Sequence, residues 1–276
     1  MQDSFITAIN SEKAALGWFE LLTKNMSNIY TPGFREIRGS FHSFLNGIDL
    51  NEHGHKQEQT KSVPGVAPEN LFLEGNGFFT VRKSNGELLY TRLGDFKWDG
   101  NGTYVTKDGY KVQGYILDKS GNIMNSGSAG PDPNNPNMPD GGPGEIATTD
   151  VTMWLDPSNG KYLGKYDEWK IEGNGVVYGK NKEGKVKDPL FKLAIVNFHN
   201  PEAMSMPEEN YFSKNEASGA PVASNAETRS GLLEKSNVDF RQNIHLLQQA
   251  KLQLQVTNKI ISSNKKLLEE ALRLIE

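Results

Sequence analysis

The chain has 276 residues, a net charge of −4 and no cysteine, enough length for one large domain or two ordinary ones. Lack of cysteine excludes disulfides, thiolate metal sites and cysteine nucleophiles, and the acidic balance argues against nucleic acid as a partner. Twenty-eight glycines beside 36% hydrophobic residues suit a turn-rich β body better than a compact helical enzyme.

Residues 3–29 read as the first helix. Phe5, Ile9, Leu16, Phe19 and Met26 follow a three/four spacing that places them on one stripe, with Asp3 as its N-cap. The segment also lacks the basic start and apolar core of a signal peptide, which predicts no Sec-type secretion. Thr31-Pro32-Gly33-Phe34 then stops the helix, since proline disfavours the helical region at the residue before it. Residues 37–69 carry no clear period and read as an extended linker.

From residue 70 to about 120 the period changes to two. "LFLEGNGFFTVR", "ELLYTRLGDFKWD" and "GTYVTKDGYKVQGYILD" alternate apolar and polar residues between Asn-Gly and Asp-Gly pairs. That pattern predicts antiparallel hairpins whose two central residues both take positive φ. Residues 125–145 are too rich in proline and glycine for a core element. The stretch 121–188 therefore reads as an inserted variable β-domain, with the β body resuming over 189–235. A last helix, capped by Ser236 or Asn237, runs to the end of the chain, and about 40 helical residues would span roughly 60 Å.

Along it Leu247, Leu254, Ile261, Leu268 and Ile275 recur every seven residues, beside a second column of Leu246, Ile260, Leu267 and Leu274. Two adjacent columns make a seam wider than a two-stranded coiled coil needs, so this helix expects several neighbours. The fold class is α+β: terminal helices that pair as a coiled coil, around a mainly antiparallel β body.

Candidate chemistry is weak by comparison. His42, His53 and His55 lie in polar sequence without the further ligands a metal requires. "GNGVVYG" has the wrong spacing for a dinucleotide loop and no following helix. "DGNG" at 99–102 opens like a calcium loop but lacks its later acidic ligand. Tyr90 and Arg92 fall on one strand face, which suggests cross-strand packing more than an acid–base set with Asp95. No catalytic residue, cofactor or metal is expected. Trp98, Trp154 and Trp169 leave a carbohydrate-binding or hydrolytic β protein as the alternative.

Several blocks resemble the bacterial flagellar axial proteins of the rod and hook. "LLTKNMSNIYTPGF" is similar to that family's helix and Thr-Pro-Gly-Phe turn, with Lys24 and Ser27 where the family has Asn and Ala. "GNGFF", "YTRLGDF" and "DGYKVQGY" resemble its β section, and "FKLAIVNFHNPEAM", "SGAP" and "LLEKSNVDF" its return to the C-terminal helix. The resemblance implies a structural subunit of the basal-body rod that polymerises through its terminal helices into a hollow, torque-transmitting shaft; the hook is the alternative within the family. It implies export by the type III apparatus, location in the basal body outside the cytoplasm, and copies of itself and other rod and hook subunits as partners. No nucleic acid and no membrane insertion are implied. The assembly interface would be Phe5, Ile9, Leu16, Phe19, Met26, Leu247, Leu254, Ile261, Leu268 and Ile275, with Thr31, Pro32, Gly33 and Phe34 setting the turn.

Overall fold

The computed structural model describes residues 2–45, 54–123, 148–153, 166, 168–180 and 187–273. It divides into two compact units. One holds Met1–Tyr30, Arg35–Lys56 and Asn237–Glu276, the other Thr31–Phe34 and Gln57–Ser236.

The first unit is helical. It contains α1 (Gln2–Ser27), α2 (Phe41–Leu45) and α3 (Phe240–Arg273). Helix α1 already includes Asp3, which is therefore not its N-cap. Nor do Ser236 and Asn237 cap α3: the Asp239 carboxylate accepts from the amides of Arg241 and Gln242 at 2.9 and 3.1 Å, the N-cap geometry. Short α2 packs on α1, and a Cβ on Gly17 would meet the Phe44 ring at 2.6 Å. That approach explains a glycine tolerated in mid-helix despite a cost of about 1 kcal/mol relative to alanine.

The second unit is β. In chain order its strands are β1 (Ser62–Pro64), β2 (Leu71–Glu74), β3 (Phe78–Arg82), β4 (Leu88–Thr91), β5 (Phe96–Trp98), β6 (Tyr104–Thr106) and β7 (Lys111–Ile116). They continue as β8 (Thr149–Asp150), β9 (Glu168–Ile171), β10 (Val176–Lys180), β11 (Lys187–Leu193) and β12 (Ile195–Phe198). The last are β13 (Ser205–Glu208), β14 (Tyr211–Ser213), β15 (Pro221–Ala223), β16 (Glu227–Ser230) and β17 (Leu232–Glu234). The central order is β13-β14-β4-β3-β7-β11-β10-β9, antiparallel wherever strands pair. Strands β8, β9 and β10, from the stretch read as an insert, join this same sheet. Two separate pairs, β1 with β17 and β2 with β16, bring residues 62–74 alongside 227–234. The core between these layers is built on Leu71, Phe79, Val81, Phe96, Tyr104 and Val177, with edge-to-face rings at 5.1 Å for Phe79–Phe96 and 5.3 Å for Phe96–Tyr104.

The hairpins sit where the sequence marks them but use another turn. In the loops at 83–87, 99–103 and 106–110 the first residue's carbonyl accepts from the fourth residue's amide, and its own amide donates to the fifth residue's carbonyl. Only the fourth residue is left-handed: Gly86 at φ 90°, Gly102 at 77° and Gly109 at 84°. Asn210 is the one non-glycine with positive φ among the described residues, so Asn85 and Asp108 keep ordinary backbone. This is the three-residue turn closed by a glycine bulge, in place of the expected two-residue primed turn.

Candidate assembly face and its anchors

In the helical unit Asn25, near the end of α1, donates to Asn243, near the start of α3, at 3.3 Å. Both helices also bury side chains well beyond this corner, so they lie side by side in opposite directions. The buried positions on α1 are Ala8, Ala14, Ala15, Trp18, Leu21, Leu22 and Asn25, and on α3 Asn243, Ala250 and Thr257. On α3 these are small or polar residues seven apart, which lets the axes approach closely; interaxial distance follows the size of the side chains at the contact.

Nine of the ten expected interface residues lie on the described parts of α1 and α3, outside that buried stripe. Phe5, Ile9, Phe19, Met26, Leu247, Leu254 and Ile261 are half-buried, whereas Leu16 and Leu268 are 51% and 45% exposed. Leu268 is open because α3, at 34 residues, outruns α1, at 26. Ile275 lies outside the described residues. A second apolar line on α3, Leu252, Val256, Ile260 and Leu267, is exposed by 61%, 52%, 46% and 56%. At 100° per residue these four fall within a sector of about 80°, turned away from the buried stripe.

A buried polar network closes the helical unit. The Asn25 amide group donates to the Ile37 carbonyl and its oxygen accepts from the Ile37 amide, both at 2.9 Å. Asn243 donates to the Glu36 carboxylate at 2.5 Å. Asn237 accepts from the Glu36 amide and donates to the Lys56 carbonyl, each at 2.6 Å. All four side chains lie under 10% exposed. Asparagine suits such a place because one side chain offers both donors and an acceptor to backbone groups that burial would otherwise strand.

A second cluster belongs to the β unit. Arg92 donates from Nε to the Glu234 carboxylate at 2.9 Å, and both side chains are almost wholly buried. The remaining guanidinium donors go to the carbonyls of Gly75, Gly77 and Leu73 at 2.8, 2.6 and 3.3 Å. The other Glu234 oxygen accepts from the Thr60 amide at 3.0 Å, and the Glu234 carbonyl accepts from the Gly33 amide at 2.8 Å. Gly33 has φ 69°, and a Cβ there would lie 2.8 Å from the Leu93 backbone. Phe34 is fully buried, and Thr31 and Pro32 half-buried. The Thr-Pro-Gly-Phe turn is thus seated in the β unit, although the residues on either side of it belong to the helical one.

The other sequence candidates separate in space. Tyr90 pairs in register with Thr80, Arg92 turns to Glu234, and Asp95 accepts from Asn70 at 2.8 Å, so these three form no acid–base set. Asp99 accepts from the amides of Asn101 and Thr103, which makes "DGNG" a hairpin tip. "GNGVVYG" is the turn into β10. His55 is fully buried and bridges to Ile37, contrary to its polar sequence setting; His42 is exposed on α2, and His53 lies outside the described residues. Trp98 and Trp169 pack together with ring centroids 5.5 Å apart, and Trp154 is outside the described residues.

Helical termini gathered into one unit, with a hairpin-rich body between them in sequence, define an α+β protein of two units. Residues 72–178 match the family model of the flagellar hook protein FlgE/F/G D1 domain. The chain is 23% identical to the flagellar basal-body rod protein FlgG of Bacillus subtilis, with 99% of each covered. To FlgG of Borreliella burgdorferi it is 24% identical, covering 90% of this chain and 89% of the relative. To the flagellar hook protein FlgE of Rhizobium meliloti it is 20% identical, covering 95% and 96%, in an alignment 392 positions long. The chain is thus similar to flagellar rod and hook proteins along nearly its whole length.

Proposed function

We propose that this chain is a structural subunit of the flagellar basal-body rod, polymerising through its terminal helices into a hollow shaft that transmits torque. The observation that carries this is the long α3 helix: one face is closed against α1, and a second apolar line stays open over Leu252, Val256, Ile260 and Leu267. A helix face of that kind is a partner surface, and a head-to-tail contact between copies whose rotation does not close builds an open helical tube.

Length favours rod over hook. The alignment to the hook protein runs to 392 positions, of which a 276-residue chain can fill no more than 276, so that relative carries insertions this chain lacks. In this reading the helices pair as a coiled coil, and residues 121–188 are the variable insert, its described strands continuing the body sheet. The half-buried Phe5, Ile9, Phe19, Met26, Leu247, Leu254 and Ile261 rim the pairing, and Leu16, Leu268 and Ile275 meet other copies. Partners are further copies and other rod and hook subunits, delivered by the type III export apparatus to the basal body outside the cytoplasm. The role is mechanical, with no catalytic step.

Removal of residues 240–276 should leave a monomeric chain that neither polymerises nor restores motility to a strain lacking the full-length protein. Electron microscopy of the purified truncation, with a swimming assay, decides the matter; filaments built without α3 would overturn the reading.

A further inference from the structure

We propose that the buried Arg92–Glu234 pair is the anchor that fastens to the β body every segment arriving from the helical unit, and hence the point where torque enters that body. The second clause rests on the rod reading; the first does not.

The chain passes between its two units four times, after Tyr30, Phe34, Lys56 and Ser236. All four passages lead within a few residues to Glu234. The first two bracket Gly33, whose amide donates to the Glu234 carbonyl at 2.8 Å. The third leads to Thr60, whose amide donates to the Glu234 carboxylate at 3.0 Å. The fourth follows Glu234 itself. Lys235 reinforces the tie: its carbonyl accepts from the Thr60 hydroxyl, and its amide donates to the Lys61 carbonyl at 3.1 Å. Strand β1 then pairs with β17, with Ser62 opposite Glu234.

One residue thus holds three segments far apart in sequence, using its backbone on one and its side chain on another. Arg92 fixes that residue to the body, because it also donates to the carbonyls of Leu73 in β2 and of Gly75 and Gly77 on the loop from β2 to β3. An exposed pair in this place would slip, since surface ion pairs constrain little. Here both side chains are buried, 2% and 0% exposed, and arginine's planar fork fixes direction as well as charge. Gly33 completes the fit, for any side chain there would collide with the Arg92–Leu93 backbone. Arg92 and Glu234 are positioning residues: they act through the segments they hold.

The test replaces both partners at once in the full-length protein, Arg92→Met with Glu234→Leu, because apolar residues of similar size leave no stranded charge and are compatible with folding. Amide exchange of the monomer should show Gly33 and Thr60 exchanging at least about tenfold faster, while Val81 and Val112 in the central sheet keep their protection. Unchanged exchange at Gly33 and Thr60 would overturn the anchor, as would faster exchange spread evenly through the body. Put in place of the wild-type protein, the variant should assemble but swim several-fold more slowly than wild type in viscous medium; wild-type swimming there with a loosened anchor would overturn the torque claim. Absence of the wild-type chain from purified basal bodies would sink the rod reading alone, since exchange still decides whether the pair is an anchor.

Discussion

Asn243 sits fully buried on α3, where a leucine would bury more apolar area. Its value lies in what it closes: the amide group donates to Glu36 and its oxygen accepts from Asn25, both themselves buried. Truncation would strand a carboxylate and an amide, and a buried polar group without its partner costs about 1–3 kcal/mol. Thr257 lies on the same stripe, but its hydroxyl bonds only to carbonyls of its own helix, at Gln253 and Leu254. We therefore expect Asn243→Ala to lower helical-unit stability by about 1–3 kcal/mol and Thr257→Ala by less than about 1 kcal/mol. Thermal melts followed by circular dichroism at the helix band give the order, and the reverse order would mean that the network contributes nothing beyond packing. A single polar position in a helix seam also fixes register, which apolar columns alone leave free to slide.

At the scale of elements, three hairpin ends meet through charge. Lys83 from the β3–β4 loop and Tyr110 from the β6–β7 loop both donate to Glu208 at the end of β13, while Tyr211 donates to Asp108 at 2.6 Å. The Lys83 ammonium first, and the Tyr110 hydroxyl second, hold the Glu208 carboxyl below its ordinary value of 4.5. A depressed carboxyl stabilises the fold above its unfolded value, and the contribution disappears as pH falls through the folded one. The tips should stay joined at neutral pH and loosen progressively below about pH 4.5, with Glu208→Gln loosened at every pH. Tyrosine ring signals of Tyr110 and Tyr211 followed by NMR titration report this, and tips as loose at pH 7 as at pH 3 would refute it.

These elements also show how far the sequence could be read. Asn-Gly and Asp-Gly pairs locate the hairpins because only a flexible residue closes them, yet they do not distinguish a two-residue turn from a bulged one. The Leu247 and Leu254 column reveals a long helix. It does not mark the innermost stripe, because large side chains dominate the heptad pattern while the buried positions are Asn243, Ala250 and Thr257. A heptad of small residues was the signal available. Arg92 and Glu234 stand 142 positions apart, and no local period joins them.

For the molecule as a whole, assembly depends on which apolar residues stay uncovered. Leu252, Val256, Ile260 and Leu267 contribute little to folding, because each keeps about half or more of its surface in water. Leu21, at 1% exposure, is the opposite case. Stability and assembly can therefore be separated by substitution. Leu252→Glu combined with Val256→Glu should change monomer stability by no more than about 0.5 kcal/mol per site, as surface substitutions do, and abolish polymerisation. Leu21→Ala should cost about 2–5 kcal/mol in stability through the cavity it leaves. Denaturant melts of the monomer measure the first quantity, and sedimentation with electron microscopy of the assembled state the second. Were the double charge variant to assemble like wild type, the open line on α3 would be an accident of composition, and the contacts between copies would have to be sought on another surface.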